Sequence, residues 1–513
     1  MVNVLVGMSS YVVITLASFV VRKFLFNAVG ADINGVNAVF LNVLSMLSLT
    51  ELGFGTAIIF NLYRTLADDN RDQTAALMQL YSKIYKIVAA VVGGIGVCLL
   101  PFLTRFFKGD ISGYQNGTFK GKELLILVFL LMLADTVVSY LFAYKRAIII
   151  ADQKGFRVQM VSTGANLALN AFQIVGLLLT GNYILFLIIK VAFRLIENLT
   201  VAHISNQMFP YIKASGKRKL DPVIRANIIS NIKAVSLHYV GLYLINGTTS
   251  LLISMLISPV IAGFYAFYSL ILTSMRSFLL QLTQGVTPSF GNMLAKTDRE
   301  RSVTIFHKTL FVCFALMNFT GVGLLILINP VISVWFGPQC VLALPAVIVL
   351  VLDFYIVNLA EMLGSLRASA GMYRPDRWVQ IILAGFNLAI SYLLWRKIGL
   401  TGLFLGPMIC HIIKEILVVP QIVYRNIFKT GPMQYYRRFF QYFISTVAFA
   451  LTAMGIVSLL PSNGNLIFGL ATKLAVVLVI PNGLLILLYH RTEEFRYCVD
   501  LGKTTFRKVF KRM

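Results

Sequence analysis

The chain has few charged residues. Only 13% of its 513 residues are Asp, Glu, Lys or Arg, whereas 58% are hydrophobic, and the mean hydropathy is +0.80. Soluble domains carry about 25% charged residues. This deficit excludes an ordinary water-soluble core and indicates that the lipid bilayer is the main solvent of the chain.

Cysteine and histidine are also scarce, with five residues of each. The cysteines form no close pair in the sequence, which argues against a disulfide framework and against a structural zinc site. The histidines are unclustered, and the sequence contains no P-loop, H-E-x-x-H or G-x-S-x-G motif. We therefore expect no metal site, no cofactor and no catalytic centre, and hence a protein that is not an enzyme.

Acidic residues are outnumbered by basic ones, 20 against 45, which gives a net charge of +25. With the N-terminus placed in the cytoplasm, 32 of the basic residues fall in predicted inner loops and the tail, and eight in predicted outer loops. This is the positive-inside pattern of membrane proteins. It predicts a multi-pass membrane protein with both termini in the cytoplasm. The basic tail is expected to lie against anionic lipid headgroups rather than to bind nucleic acid.

Long apolar runs are abundant. A membrane-spanning helix needs about 20 mostly apolar residues, and fourteen runs meet this condition. They are continuously apolar rather than alternating, which favours an all-α membrane protein over a barrel. The predicted spans are 3–21, 34–60, 84–106, 123–143, 157–179, 182–206, 233–257, 260–284, 306–333, 343–366, 377–395, 400–424, 438–460 and 465–489.

Two constant offsets indicate an internal repeat. The matched pairs are Gly35 with Gly263 and Ala38 with Ala266 at an offset of 228, and Arg146 with Arg367, Gly164 with Gly385 and Asn166 with Asn387 at an offset of 221. Self-similarity at a fixed spacing is the signature of repeated structural units. Because each copy spans the membrane an even number of times, we expect two parallel six-helix repeats that form two lobes around a central cavity.

The repeat divides the chain into five predicted parts. These are an N-terminal lobe at 1–206, a cytoplasmic linker at 207–232, a C-terminal lobe at 233–425, two additional peripheral spans within 426–489, and a basic cytoplasmic tail at 490–513.

Three charged residues lie within the sixth predicted span. Each such residue costs roughly 2.5–3.5 kcal/mol at a helix centre on insertion scales, so it usually faces a watery cavity. Spacings of four and three place Lys190, Arg194 and Glu197 on one helical face. We interpret Lys190 and Arg194 as ligands for an anionic group. The alternative is an internal ion-pair set, such as Arg194 with Glu197, that only locks helices together.

The twelfth predicted span carries charges at the matching depth. The offset of 221 takes Lys190 to His411 and Arg194 to Glu415, which follows Lys414. Lys414 is therefore a further candidate ligand for an anion. Because an imidazole can change charge between about pH 5 and 8, His411 is a candidate for coupling transport to protons, with Glu415 as a possible coupling or ion-pair partner.

Arg276 lies in the eighth predicted span among Ser269, Thr273, Ser274 and Ser277, and no acidic residue lies within one turn of it. The planar guanidinium group binds phosphate oxygens through two parallel hydrogen bonds. We predict that Arg276 faces a cavity and binds an anion. A partner on another helix remains the alternative.

Four acidic residues within the apolar runs are further candidates. We interpret them either as salt-bridge partners or as coupling-ion sites. One arginine at the end of the first run is also a candidate. The acidic residues are Glu51, Asp135, Asp353 and Glu361. The arginine, Arg22, is expected to close helix one and either to flank an outer gate or to anchor the helix at the interface.

The start of the chain resembles a known family. Arg22, Gly30 and Gly35 are followed by Glu51-Leu52-Gly53-Phe54-Gly55-Thr56-Ala57 and by a charged loop through Arg71. This order is similar to the start of polysaccharide flippases, the O-antigen and capsule (Wzx-like) transporters of the multidrug/oligosaccharidyl-lipid/polysaccharide (MOP) superfamily. The fourteen-span count and the parallel repeat agree with that family along the whole chain.

The resemblance implies a function. Such proteins move an oligosaccharide linked to undecaprenyl diphosphate from the inner to the outer leaflet, for capsule, exopolysaccharide or O-antigen assembly. Glycan polymerases and glycosyltransferases are the partners that the resemblance implies. In relatives, cationic side chains of a central cavity meet the diphosphate, and Arg276 matches that role by helix and by residue type.

Other functions remain open. Lipid II flippases and drug or cation antiporters share the architecture, although the absence of an acidic residue in helix one disfavours the antiporter. A scaffold or polymerase of glycan assembly is a further alternative. A polymerase would need a large outer loop, and the longest predicted outer loop, about 107–122, is short.

Overall fold

The protein is almost entirely helical. The computed structural model describes residues 2–47, 62–63, 65–109, 113–214, 228, 244–245, 247–283, 299–370, 377–460 and 466–510. The predicted spans within these ranges are helical, which confirms the all-α class. Glu51, the motif at 52–57 and the linker beyond Ala214 lie outside the described residues.

The first half of the chain contains seven of the described helices. They are α1 (Val2–Leu47), α2 (Arg71–Leu99), α3 (Gly121–Ala151), α4 (Gly155–Thr180), α5 (Tyr183–Met208), the short α6 (Tyr211–Ala214) and α7 (Gly247–Leu256). A 3-10 helix, Leu100–Phe106, continues α2. A small antiparallel hairpin, β1 (Gln115–Asn116) with β2 (Phe119–Lys120), precedes α3 and pairs Gln115 with Lys120.

The second half contains eight more. They are α8 (Pro259–Thr283), α9 (Arg299–Phe336), α10 (Leu344–Ser369), α11 (Arg377–Ile398), α12 (Leu400–Phe428), α13 (Met433–Leu459), α14 (Leu466–Tyr489) and α15 (Glu493–Phe510). Within α12, the segments Ile412–Val418 and Tyr424–Phe428 are π-helical.

Ten helices of the described part are long and apolar enough to cross a membrane. The fourteen predicted runs are accounted for as follows. Run 3–21 and the part of run 34–60 up to Leu47 form α1, which bends at Gly30, where φ is 75° and ψ is −174°. Residues 48–60 lie outside the described residues. Runs 182–206 and 260–284 form α5 and α8, whose polar side chains lower their hydropathy. Most of run 233–257 lies outside the described residues.

Two local expectations from the sequence are wrong. Arg22 does not close a helix, because α1 remains helical up to the bend at Gly30. A partly buried arginine leaves the backbone hydrogen bonds of a helix intact, whereas glycine readily adopts a positive φ. The segment between the predicted spans 123–143 and 157–179 is also mostly helical, since α3 ends at Ala151 and α4 begins at Gly155.

The chain forms two compact units. Unit one comprises Met1–Ala266 and Gln380–Ala384, and unit two comprises Phe267–Val379 and Gly385–Met513. In unit one, α3 packs against α2 and α5, and α4 packs against α1 and α5. In unit two, α9 packs against α10, α14 and α15. The predicted lobe boundaries at 206 and 233 stay a prediction.

A tight turn fixes the position of α5 beside α4. Gly181 ends α4 in the left-handed conformation, with φ at 60°, and its N–H donates to the Leu177 carbonyl at 2.8 Å. The side chain of Asn182 then accepts hydrogen bonds from the N–H groups of Ile184 and Leu185, at 2.8 and 3.3 Å. This cap starts α5 and thereby sets the depth of the charged residues that follow.

Candidate functional site

Unit one contains a buried network of five charged side chains from two helices, which we name the α3–α5 network. Asp135 and Arg146 come from α3, and Lys190, Arg194 and Glu197 come from α5. The Asp135 carboxylate contacts Lys190 Nζ at 3.1 Å and Arg194 Nε at 3.0 Å. The Glu197 carboxylate contacts Arg194 Nη1 at 3.2 Å and Arg146 Nη2 at 2.5 Å.

A third helix completes the surroundings of Glu197. The Ser162 hydroxyl of α4 donates a hydrogen bond to Glu197 Oε1 at 2.6 Å. Arg146 Nη1 donates to the same hydroxyl at 3.4 Å. Asn198 Nδ2 donates to the carbonyl of Val138 at 3.3 Å. Because Glu197 accepts from three groups, it holds α3, α4 and α5 together.

The α3–α5 network carries an excess of positive charge, since three cations share two carboxylates. The side chains of Asp135 and Glu197 are only 10% and 5% exposed, whereas those of Lys190 and Arg194 are 24% and 32% exposed. The cationic groups are thus the accessible part of the network. An anion that approaches it meets hydrogen-bond donors that carry positive charge, which form the stronger kind of hydrogen bond.

The predicted ion pair between Arg194 and Glu197 is present, and it belongs to the larger α3–α5 network. Sequence reasoning missed Arg146 and Ser162. Arg146 lies between the predicted spans 123–143 and 157–179 and was therefore not a candidate, although the offset of 221 matches it to Arg367. Arg367 is also buried, within α10, and its charge acts on Glu361 and Glu415. The repeated arginine was therefore a usable signal that both positions lie beside buried carboxylates.

Unit two contains two further contacts between ionisable side chains on α12. His411 Nδ1 lies 2.7 Å from Asp353 Oδ1 of α10. Lys414 Nζ lies 2.6 Å from Glu415 Oε1, and both of these side chains are buried. Lys414 and Glu415 belong to the π-helical segment Ile412–Val418. Such segments occur frequently at functional sites, because they shift side chains out of the regular helical register.

Arg276 of α8 has an acidic neighbour. Its Nη2 lies 3.6 Å from Glu361 Oε2 of α10, and the two side chains are 40% and 33% exposed. The distance is too long for a strong hydrogen bond, so the contact is a loose ion pair. This is the alternative that the sequence left open, a partner on another helix. The exposed fraction of Arg276 still leaves donors accessible to a ligand.

The remaining candidates lie elsewhere. Arg22 is half-buried within α1 and interacts electrostatically with Tyr183 at the start of α5. The Tyr183 hydroxyl donates to Asn37 Oδ1 at 2.8 Å. Glu51 lies outside the described residues. Among the described residues, no group of three or more His, Cys, Asp or Glu side chains is placed to hold a metal ion.

Sequence comparisons return no match, neither to a protein-family profile nor to a curated protein. Solved structures do match. The lipid II flippase MurJ in an inward closed conformation superposes with a TM-score of 0.63 at 13% identity, over 95% of this chain and 98% of that one. An inward-facing multidrug-resistance MATE family transporter of the MOP superfamily gives a TM-score of 0.62 at 13% identity, over 81% and 96%.

A third match is a mutant form of the Vibrio cholerae MATE transporter VcmN, with a TM-score of 0.59 at 13% identity, over 84% of this chain and 98% of that one. At such low identity the likeness concerns the fold. The chain is therefore a multi-pass membrane protein with the helical fold of MOP-superfamily transporters.

Proposed function

We propose that the protein is a flippase that moves an undecaprenyl-diphosphate-linked oligosaccharide from the inner to the outer leaflet of the bacterial cytoplasmic membrane by alternating access. The observation that carries the proposal is the positive charge excess of the α3–α5 network. A diphosphate bears negative charge at neutral pH, and burying an uncompensated charge in a bilayer is costly. Accessible cations at membrane depth lower that cost.

Lys190 and Arg194 are the proposed ligands of the diphosphate. Both already contact Asp135, yet their side chains stay 24% and 32% exposed. A guanidinium group has five N–H donors, so Arg194 has donors left over after its contacts with Asp135 and Glu197. The diphosphate would thus join an existing network of charges, and the two carboxylates would hold the cations in place for it.

Arg276 and Lys414 are the proposed ligands in unit two. The loose 3.6 Å contact between Arg276 and Glu361 is easily exchanged for a phosphate oxygen. Lys414 is held by Glu415, so we assign it a supporting role. The pair His411 and Asp353 is the proposed site of coupling to protons, because only a protonated imidazole forms an ion pair with a carboxylate.

A lipid II flippase is the second candidate. The likeness to MurJ covers 95% of this chain, whereas the likeness to the MATE transporter in its inward-facing form covers 81%. Lipid II is also a sugar on a polyprenyl diphosphate, so the same cations would serve it. An antiporter for cationic drugs is less well supported, because the accessible groups of the α3–α5 network are cations themselves.

The test is transport by purified protein in proteoliposomes. Three substrates are compared: an undecaprenyl-diphosphate oligosaccharide, lipid II and a cationic drug. For the two lipids, the fraction of sugar that becomes accessible to an enzyme added outside is measured over time. We expect flipping of the oligosaccharide lipid, and we expect Lys190→Met to slow it at least tenfold while protein yield stays normal.

Lys86→Met is the matched control, because Lys86 is an exposed lysine of α2 outside the network. It should flip at the wild-type rate. Flipping of lipid II alone would favour the second candidate. Drug transport without lipid flipping would refute the proposal.

A further inference from the structure

A cavity of about 390 Å³ lies in unit two, away from the ion pairs of α10 and α12. It is formed by α9, the start of α13 and the turn between α14 and α15. Aromatic side chains form one wall, namely Phe311, Tyr442 and Tyr489. Tyr442 stacks on Phe314 of α9 with ring centroids 4.3 Å apart, so this wall is fixed to the core of the unit.

The cavity lies at the ends of two helices, α13 and α14, that are long and apolar enough to cross a membrane. The start of α13 and the end of α14 lie side by side, because the Ser445 and Tyr489 hydroxyls are 2.9 Å apart. Both ends carry basic residues, at Arg437, Arg438 and Arg491. By the positive-inside rule this surface is the cytoplasmic one. The inner leaflet of bacterial membranes supplies acidic phospholipids at this depth.

The polar lining of the cavity has one uncompensated cation. Arg438 Nη1 donates to Glu494 Oε1 at 2.6 Å, so these two charges neutralise each other. Arg437 is exposed, and no acidic side chain of the described residues forms an ion pair with it. Gln434 and Gln441, one turn to either side on α13, add amide donors. The lining therefore suits one phosphate group.

An apolar stripe leads away from Arg437 along α13. Phe440, Ile444, Val447 and Leu451 are 49%, 64%, 37% and 65% exposed. Their spacings of four, three and four place them on one face of the helix. Arg437 precedes Phe440 by one turn. A phosphate at Arg437 would therefore hold the headgroup of a lipid whose acyl chains lie on this stripe.

We propose that this cavity is a binding site for the phosphate of an acidic phospholipid from the cytoplasmic leaflet, with Arg437 as its main ligand. The site lies outside the proposed transport pathway. Bound lipid would contact α13 and the α14–α15 turn together, and so it would hold α15 against α9. The binding is electrostatic at the headgroup and apolar along the stripe, as for other surface lipid sites.

The test uses the full chain in nanodiscs, either of phosphatidylcholine alone or of phosphatidylcholine with phosphatidylglycerol, whose headgroup is anionic. Thermal unfolding and the phosphatidylglycerol retained after detergent exchange are both measured. We expect phosphatidylglycerol to raise the unfolding midpoint of the wild type, and Arg437→Gln to abolish that rise and to reduce lipid retention about tenfold. Arg437→Lys should retain part of both effects, because it keeps the charge but loses the planar fork.

Arg425→Gln is the matched control, because Arg425 is an exposed arginine at the end of α12 that does not line the cavity. It should respond to phosphatidylglycerol as the wild type does. A further sample in phosphatidylcholine receives millimolar inorganic phosphate. Equal, Arg437-dependent stabilisation by inorganic phosphate would overturn the lipid assignment in favour of a soluble anion. A full response to phosphatidylglycerol in Arg437→Gln would overturn the site itself.

Discussion

Gly35 of α1 and Gly263 of α8 lie against each other. A methyl group built on Gly263 would come within 2.9 Å of the Gly35 nitrogen, and one built on Gly35 would overlap the Pro259 carbonyl. Asn34 Nδ2 donates to the Gly263 carbonyl at 3.2 Å across the same crossing. These two glycines are also the pair that the sequence offset of 228 relates, so equivalent positions of the two predicted repeats meet at one point.

The first prediction concerns this crossing. We expect Gly35→Ala to lower the free energy of unfolding by about 1–3 kcal/mol, because the added methyl forces the two helix backbones apart. Thermal unfolding in detergent measures the effect. Gly164→Ala is the control, since a methyl group at Gly164 of α4 meets no atom within 4 Å. Equal unfolding midpoints for wild type and Gly35→Ala would contradict the close approach.

The second prediction distinguishes the structural role of Glu197 from the proposed ligand role of Lys190 in the α3–α5 network. Glu197 is 4% exposed and accepts from Arg146, Arg194 and Ser162. Loss of its charge leaves Arg146 without a carboxylate partner and Arg194 with Asp135 alone, which costs about 1–3 kcal/mol. We therefore expect Glu197→Gln to reduce protein abundance and the unfolding midpoint strongly. Lys190→Met should change both only slightly, since Asp135 keeps its contact with Arg194.

Exchanging the charges of Arg194 and Glu197 would not simply preserve an ion pair, because each residue has a second charged neighbour. A double exchange, Arg194→Glu with Glu197→Arg, preserves a simple pair. Here it places a glutamate beside Asp135 and an arginine beside Arg146. We therefore expect the double variant to fold poorly, and the abundance of each variant in membranes tests this. Wild-type abundance would show that the wider network contributes little to stability.

The third prediction concerns Arg276. Both partners of the Arg276–Glu361 pair are about one-third exposed or more, and they lie 3.6 Å apart, so the pair contributes only about 0–1 kcal/mol to stability. We expect Arg276→Ala to leave the unfolding midpoint nearly unchanged and to reduce flipping of the oligosaccharide lipid more than tenfold. Glu361→Gln is the matched variant, because it removes the same pair but keeps the cation. It should retain flipping, and an equal loss in both variants would show that the pair matters rather than the cation.

Much of the fold could be predicted from the sequence. The apolar runs predict the helices because bilayer thickness fixes the length of a span, and the offset of 228 relates Gly35 to Gly263. The partners of buried charges could not be predicted in the same way. Glu361 lies 85 positions after Arg276 in the sequence, and Asp135 lies 55 before Lys190. Periodicity shows which face of a helix a residue occupies, but the packing of separate helices decides what that face meets.

The sequence analysis also ended the first helix too early. Arg22 is followed by seven more residues before the bend at Gly30, because one charged side chain does not interrupt backbone hydrogen bonds. The π-helical segment at Ile412–Val418 has no sequence signature that we used. It changes the spacing on α12, so the face shared by His411 and Glu415 could not be derived from regular helical geometry.

The last prediction concerns acid and the position of α15. Burial alone would raise the pKa of Glu494. The hydrogen bond from Arg438, a backbone hydrogen bond at Glu494 and the positive charge of Arg438 together outweigh burial and lower the pKa below the ordinary value of 4.5. A carboxylate whose pKa is lowered by folding stabilises the folded state above its ordinary pKa, and that contribution is lost as the pH falls through the lowered value. The Arg438–Glu494 pair therefore holds α15 in place at neutral pH and releases it below about pH 4.5.

Hydrogen–deuterium exchange of α15, corrected for the intrinsic pH dependence of exchange, measures this release. Wild-type α15 should exchange faster at pH 3.5 than at pH 6, and Glu494→Gln should exchange fast at both. Glu493→Gln is the control, because the Glu493 side chain is 80% exposed and its contact with Lys308 is longer, at 3.4 Å. That variant should keep the wild-type pH response. If Glu494→Gln kept it too, another acidic group would have to control the docking of α15.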